Sequence, residues 1–265
     1  MKKGTRILMT SAKGGVGVGF VTVNTALALC RRGLKVLLVD AGPFCRSHDA
    51  LLGCEESVVY DLGDVAANRI AAEKALFRPR EDEELYLLPG VFDPKDLPDA
   101  EGLTAVLAYV AVECDFDVIL VDAPALPETV AGAAQYDLCC VVSDGGAASL
   151  RAAEAAGAAL QMAGASVRLL INRFSLLRPQ ESGQKKAISM VDDTHLWLLG
   201  LVPTVGELYE LPKGRPHHLL DGHRAWRKEP ARNAFDNIAG RLLDEDVPLL
   251  NGIGAVRRRR KELLY

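Results

Sequence analysis

Short apolar runs alternate along the chain with longer segments whose apolar residues recur at helical spacing. The runs are rich in Val, Ile and Leu and are mostly continuous, which is typical of parallel strands that helices cover on both faces. The predicted strands are 6–10, 35–40, 85–88, 118–122, 138–143, 167–171 and 196–202. This rhythm predicts an α/β fold with three layers, built on a doubly wound, mostly parallel sheet of about seven or eight strands.

Four helices are predicted from the same pattern. Residues 21–32 end before Gly33, which is a suitable helix C-cap, and residues 147–160 are rich in alanine. The other two predicted helices are 103–112 and 231–243, and residues 173–193 are predicted as a surface loop leading into a short helix. No internal repeat or linker is evident, so we expect one domain over residues 1–247 and a basic tail over residues 248–265.

Composition argues against several classes of function, namely nucleic-acid binding, membrane spanning and secretion. The chain has 265 residues and a formal net charge of −4, which argues against a surface that is basic throughout, and we expect no nucleic-acid partner. No apolar run approaches the ~18 residues of a membrane span, and the apolar stretch near the start is too short for a signal peptide. The six cysteines form no CxxC pair and are interpreted as reduced packing residues. These features predict a cytoplasmic protein.

A glycine-rich turn follows the first predicted strand and leads into a helix. Four of the six residues from Gly14 to Gly19 are glycines. Glycines let consecutive backbone N–H groups point inward, and the helix N-terminus adds partial positive charge, so this arrangement suits a phosphate group. A tight turn without a ligand is the alternative, and the density of glycines favours the phosphate site.

The run Lys13-Gly14-Gly15-Val16-Gly17 resembles the deviant Walker A motif of the MinD/ParA family of P-loop ATPases. In that family the lysine at the start of the motif reaches across a dimer to the partner's phosphates, and the resemblance implies this role for Lys13. Val18 stands where the motif has its P-loop lysine, and Gly19 stands where Thr or Ser holds Mg²⁺. The implied phosphate-binding residues are Lys13, Gly14, Gly15, Val16, Gly17, Val18, Gly19 and Phe20.

The resemblance extends over roughly residues 3–243 and is greatest to MinD members of the family, notably around Arg46 and over residues 51–61. It implies that ATP or ADP binds with Mg²⁺. Asp40 and Asp122 match the carboxylates on the metal side. Asn172, Arg173 and Pro203 match positions that flank adenine.

The residues that depart from the family pattern stand at the positions used in ATP hydrolysis. Gly42 stands where MinD proteins have the Asp that orients the attacking water, in addition to the changes at Val18 and Gly19. The glycine of the second switch segment is replaced by Leu126. Phosphoryl transfer relies on positioning and charge neutralisation, and losing one such group commonly costs on the order of 10²–10³ in rate. We therefore assign no catalytic residue and expect ATP hydrolysis to be weak or absent.

Three functions remain open from the sequence. The first is a MinD-like regulator of cell-division site placement that acts as a nucleotide-binding pseudo-ATPase. The second is an active but atypical ATP hydrolase of the same family, completed by Lys13 from a partner subunit. The third is an interaction scaffold that binds no nucleotide and pairs with an intact paralogue. Each implies a homodimer or a heterodimer with a MinD-like chain, and a division-regulator protein as partner.

The tail carries five consecutive cations, Arg257, Arg258, Arg259, Arg260 and Lys261. It is similar in place and type to the basic amphipathic helix that ends MinD proteins, and this similarity implies binding to an anionic membrane surface. Gly252 and Gly254 weaken such a helix, and a solvated basic tail is the alternative. The expected location is therefore cytoplasmic, with peripheral contact at the inner face of the cell membrane.

Overall fold

Seven strands form the centre of the molecule in a computed structural model that describes residues 2–42, 46–177, 183–205 and 230–250. They are β1 (Thr5–Thr10), β2 (Val36–Asp40), β3 (Leu85–Leu88), β4 (Val118–Asp122), β5 (Leu138–Ser143), β6 (Val167–Phe174) and β7 (Leu198–Pro203). All pair in parallel in the order β3-β2-β4-β1-β5-β6-β7. The predicted doubly wound α/β fold is confirmed.

Helices cover both faces of the sheet. The longer ones are α1 (Val18–Cys30), α5 (Ala100–Glu113), α7 (Ala147–Met162), α8 (Ala187–Thr194) and α9 (Pro230–Leu242). The shorter ones are α2 (His48–Leu52), α3 (Leu62–Ala66), α4 (Ala72–Ala75) and α6 (Pro127–Ala131), with 3₁₀ turns at Pro94–Asp96 and Ala133–Gln135. None of the helices in these described ranges is long and apolar enough to cross a membrane.

The sheet has an apolar layer on each face because successive strand residues point to opposite sides. Ile7 and Met9 of β1 belong to the layer that includes buried residues of α1 and α9. Leu8 points the other way, into the layer that includes residues of α5 and α7. Burial on both faces explains why the strands are continuously apolar in the sequence.

Most predicted elements differ from the structure by one to three residues at an end, and two of these differences lie at the carboxyl edge of the sheet. Helix α1 begins at Val18 rather than at residue 21, because Gly17 adopts φ +87° and starts the helix directly after the glycine-rich turn. Strand β6 continues to Phe174, inside the segment predicted as a loop, because Phe174 pairs with Pro203 of β7. The short helix predicted after this segment is α8.

Helix α9 closes one face of the fold. The ring of Phe235 contacts the ring of Phe20 in α1 edge-on, with 5.7 Å between centroids. Leu249 and Leu250 beyond the helix are also buried. Residues 251–265 of the predicted tail, including its five cations, lie outside the described residues, so the membrane role stays a prediction, as does the domain division at residue 247.

The cysteines behave as packing residues where the structure describes them. Cys139 and Cys140 of β5 are completely buried, and burial raises the pKa of the Cys139 thiol to about 12. Cys30, Cys54 and Cys114 are also free thiols. Cys45 lies outside the described residues.

Candidate functional site

A cleft of about 1690 Å³ opens at the carboxyl edge of the sheet. Loops after β1, β2, β4, β6 and β7 line it, as expected for the ligand site of a doubly wound fold. The sequence-predicted residues on its wall are Lys13, Gly14, Gly15, Gly17, Val18, Gly19, Phe20, Asp40, Gly42, Asp122, Asn172, Arg173 and Pro203. Val16 is fully buried beneath the loop. The structure thus brings the predicted residues together around one cleft. Their role in nucleotide binding stays a prediction.

The glycine-rich loop has the backbone shape of an anion site. Gly15 and Gly17 have φ +78° and +87°, in the left-handed region that favours glycine. Gly17 is the N-cap of α1 and supplies no side chain to accept from the first-turn N–H groups. These N–H groups have no partner within the helix and are therefore available to a ligand.

Asn172 supports the loop from behind. Its Nδ2 donates to the Val16 carbonyl oxygen at 2.8 Å, and its Oδ1 accepts from the Arg173 backbone N–H at 2.9 Å. A Cβ at Gly17 would lie only 2.5 Å from Asn172 Nδ2, so this close approach requires glycine. The residue predicted to flank adenine therefore also holds the glycine-rich loop, a role that the sequence did not indicate.

Lys13 is paired within its own subunit. Its Nζ lies 3.2 Å from Asp144 Oδ2 in the loop after β5. Partial burial acts to raise the pKa of Asp144, but hydrogen bonds from the Gly146 N–H and the Lys13 ammonium outweigh it, so the pKa lies below its usual value. The Lys13 side chain is 40% exposed, which leaves it accessible from the cleft.

We expect Asp144→Asn to lower the free energy of unfolding by about 0.5–1 kcal/mol at pH 7, since the pair is partly exposed. The folded pKa of Asp144 is depressed, so its contribution is present above the unfolded pKa of about 3.9 and is lost as pH falls through the lower folded value. Urea unfolding of both proteins at pH 7, 5, 4 and 3 measures this. A difference in the free energy of unfolding between the two proteins that stayed constant down to pH 3 would contradict the ion pair.

Val18 and Gly19 form the part of the loop that departs from the family motif. Val18 is half-buried and packs against the apolar layer beneath α1. A Cβ at Gly19 would lie 2.6 Å from Ser47 Oγ and 3.5 Å from Asp122 Oδ2. Ser47 therefore fills the space that a side chain at position 19 would need.

Asp40 and Asp122 are neighbours because β2 and β4 pair with these two residues in register. Backbone N–H groups of Gly42 and Ser47 donate to the two oxygens of Asp40, at 3.2 and 3.1 Å. Asp122 Oδ2 lies 3.1 Å from Nε2 of His48. Burial is the main cause that raises the pKa of Asp40.

Sequence reasoning missed His48, as it missed Ser47 and Asp144. His48 is the first residue of α2, is completely buried, and lies between Asp122 and Asp40, with Nδ1 3.7 Å from Asp40 Oδ2. Burial alone would lower the pKa of His48, but the charges of Asp40 and Asp122 outweigh it and raise the pKa. The signal available in the sequence was a histidine eight residues after Asp40, and only the fold reveals its partners.

This arrangement does not fit Mg²⁺. That ion demands near-octahedral coordination by oxygen at 2.0–2.1 Å. Position 19 offers no hydroxyl, each oxygen of Asp40 already accepts from one backbone N–H group, and the His48 ring lies against Asp122 Oδ2 at 3.1 Å, between the two carboxylates. Within the described part of the chain, no three His, Cys, Asp or Glu side chains are arranged to hold a metal ion.

Arg46 and Asp49 stabilise the segment around His48. The two side chains form an ion pair, and the Arg46 guanidinium stacks on the Phe92 ring with 3.9 Å to its centroid. Asp49 Oδ1 accepts from the Ala50 N–H at 2.9 Å. These contacts anchor α2 against the carboxyl edge of the sheet.

A parallel sheet in this order, with a glycine-rich loop between β1 and α1, defines a P-loop NTPase fold. Residues 3–86 match the family model "ParA: NUBPL iron-transfer P-loop NTPase". The septum site-determining protein MinD of Synechocystis is 32% identical, over 97% of this chain and 98% of its own. The chain therefore belongs to the MinD/ParA family of P-loop NTPases.

Solved structures agree with this assignment. The MinC:MinD cell division protein complex of Aquifex aeolicus matches with a TM-score of 0.81 and 30% identity, over 92% of this chain and 98% of that one. MinD of Pyrococcus horikoshii, solved with Mg-ADP, matches with a TM-score of 0.75 and 24% identity, over 90% and 95%, and supports the fold. Among family members, this chain is similar to MinD proteins along nearly its whole length.

Proposed function

We propose that this protein is a MinD-like septum site-determining protein that binds adenine nucleotide and turns it over weakly or not at all. The observation that carries the proposal is an open glycine-rich cleft in a chain that is similar to MinD over 97% of its length. Weak turnover is proposed because Val18, Gly19 and Gly42 stand at the positions assigned by resemblance to the groups used in hydrolysis. The protein would then respond to nucleotide as a switch without acting as an efficient ATPase.

Nucleotide binding is supported by the first-turn N–H groups of α1 and by the left-handed glycines of the loop. Lys13 supplies positive charge at the mouth of the cleft. Asn172, Arg173 and Pro203 line the part of the cleft assigned to adenine. The cleft exceeds the 300–1,000 Å³ of ordinary ligand pockets, so its size does not limit a nucleoside triphosphate.

Weak hydrolysis is supported by three replacements along the cleft. Val18 offers no charge to the β- and γ-phosphates, Gly19 offers no hydroxyl, and Gly42 offers no carboxylate to orient water. These groups act as a unit in phosphoryl transfer, so their losses do not add simply, but each is large. No step of phosphoryl transfer is assigned to the residues present.

The partners proposed for this chain follow from its relatives. The Aquifex aeolicus structure pairs MinD with MinC, and we propose a division-regulator partner of that kind here. We further propose a homodimer, or a heterodimer with a MinD-like paralogue, and peripheral binding of anionic membrane through the tail from Arg257 to Lys261 beyond residue 247. A tail with five cations near such a surface gains about 1 kcal/mol per cation.

A fluorescent ATP analogue titrated to millimolar concentration tests the proposal. We expect saturable binding by the full chain and about a ten- to hundredfold weaker Kd for Lys13→Ala, since a charge-assisted contact contributes about 1.5–3 kcal/mol. Lys185→Ala is the matched control, because Lys185 is half-exposed and pairs with Asp193 on α8. Its Kd should equal that of the wild type.

Phosphate release from ATP, measured for the protein alone and with anionic vesicles, distinguishes the proposed function from an atypical ATP hydrolase. We expect no release above background in either condition. Turnover that rises with vesicles would instead establish an atypical ATP hydrolase. Absence of saturable binding at millimolar nucleotide would establish a scaffold whose glycine-rich loop is only a turn.

A further inference from the structure

His48 occupies an unusual place for an imidazole. Its ring is completely buried at the carboxyl edge of the sheet and lies between the side chains of Asp40 and Asp122. An unpaired buried polar group costs on the order of 1–3 kcal/mol, so most such groups have partners. Nε2 of His48 has one in Asp122 Oδ2, whereas Nδ1 makes no hydrogen bond in the described part of the chain and has Asp40 Oδ2 as a charged neighbour at 3.7 Å.

The contact to Asp122 does not depend on the charge of the ring. Nε2 lies 3.1 Å from Asp122 Oδ2, and a hydrogen on Nε2 is present in one neutral tautomer and in the imidazolium. Asp40 Oδ2 accepts from the Ser47 N–H, directly before His48 in the chain. Two consecutive residues at the start of α2 thus supply donors to both carboxylates.

The glycine-rich loop is complementary to this arrangement. His48 Cδ2 lies 3.6 Å, and Ser47 Oγ 2.6 Å, from the point where a Cβ of residue 19 would stand. Of these two side chains, only Ser47 would collide with a Cβ at position 19, since 3.6 Å to His48 is an ordinary van der Waals distance. The absence of a side chain at position 19 therefore matches the placement of Ser47, the residue directly before His48.

We propose that His48 takes the place of a divalent cation between Asp40 and Asp122, so that the cleft binds the phosphates of an adenine nucleotide without Mg²⁺. This inference rests on the nucleotide binding proposed above for its ligand. The charge that a metal ion would bring to the phosphates is supplied in part by Lys13 and by the N-terminus of α1. The site is then a metal-free nucleotide site with a built-in hydrogen-bond donor.

The first test compares nucleotide affinity with excess Mg²⁺ and with EDTA, for ADP and ATP by calorimetry. We expect the two Kd values of the wild type to agree within about threefold. Tightening by Mg²⁺ of more than about tenfold would overturn the inference. If that tightening disappeared in Ser47→Ala, the Ser47 hydroxyl would be the replacement metal ligand instead.

Two substitutions of His48 distinguish the effect of its N–H donor from the effect of its volume. His48→Gln keeps an N–H donor in the same region and should keep binding independent of Mg²⁺. His48→Leu fills similar volume without a donor and leaves the two carboxylates facing each other. Its nucleotide binding should become dependent on Mg²⁺ by at least about tenfold, and equal dependence in both variants would contradict the role of the N–H group.

A second measurement needs no nucleotide and so distinguishes this inference from the proposed function. Thermal unfolding is followed with 10 mM MgCl₂ against NaCl of the same ionic strength. We expect Mg²⁺ to raise the Tm of His48→Leu by at least about 2 °C and to leave the wild type unchanged, because a ligand stabilises only the state that binds it. The same rise in both proteins, or none in either, would contradict the inference even if nucleotide binding were absent.

Discussion

Phe235→Ala is expected to lower the free energy of unfolding by about 3–5 kcal/mol, the cost of emptying a large aromatic site in a packed core. Phe235 is completely buried in α9 and contacts Phe20 of α1 edge-on at 5.7 Å. Its loss removes area burial and an aromatic contact from the same junction. Urea unfolding followed by circular dichroism measures the change.

Trp197→Ala is the matched control for Phe235→Ala. Trp197 is larger, but 60% of it is exposed before β7, so its removal should change stability by less than about 1 kcal/mol. Equal losses in the two variants would mean that α9 is not packed on α1 as described.

Restoring ATP hydrolysis is expected to require changes in two places. Val18→Lys, Gly19→Thr and Gly42→Asp return the missing chemical groups, but threonine at position 19 would collide with Ser47 as it now lies. We therefore expect the triple variant, like the wild type, to release no phosphate above background. Adding Ser47→Ala and His48→Leu frees the space and the Asp122 oxygen, and should raise turnover on the order of 10²-fold or more.

Phosphate release by wild type, triple and fivefold variants measures this expectation. A variant carrying only Ser47→Ala and His48→Leu is the control, and it should remain inactive because it lacks all three restored groups. High activity of the triple variant would show that Ser47 and His48 move aside without help. A folded but inert fivefold variant would mean that the family positions were assigned to the wrong residues.

The sheet could be predicted from sequence because each strand is buried on both faces and so is continuously apolar. The glycine-rich loop was equally accessible, since its residues are consecutive and their backbone requirements are local. The short helices α2, α3, α4 and α6 were not predicted. Helix α3, for example, depends on the capping of its first turn by Asp61, whose carboxylate also accepts from the distant Phe92 N–H.

The relation of His48 to Asp40 and Asp122 was beyond sequence reasoning for a different reason. Asp122 is 74 positions from His48, and only the pairing of β2 with β4 makes the two aspartates neighbours. A histidine in a polar segment gives no signal of complete burial. The departures from the motif at Val18, Gly19 and Gly42 were visible in the sequence. That Ser47 lies in the space a side chain at position 19 would need could be seen only in the folded structure.

The pair between Lys13 and Asp144 has a consequence for assembly. A dimer in which Lys13 crosses to the partner's phosphates must first give up one ion pair in each subunit. Association then becomes an exchange of charge partners rather than a net gain of attraction. Such an exchange responds less to ionic strength than a newly formed contact would, because salt weakens the broken pair as well as the formed one.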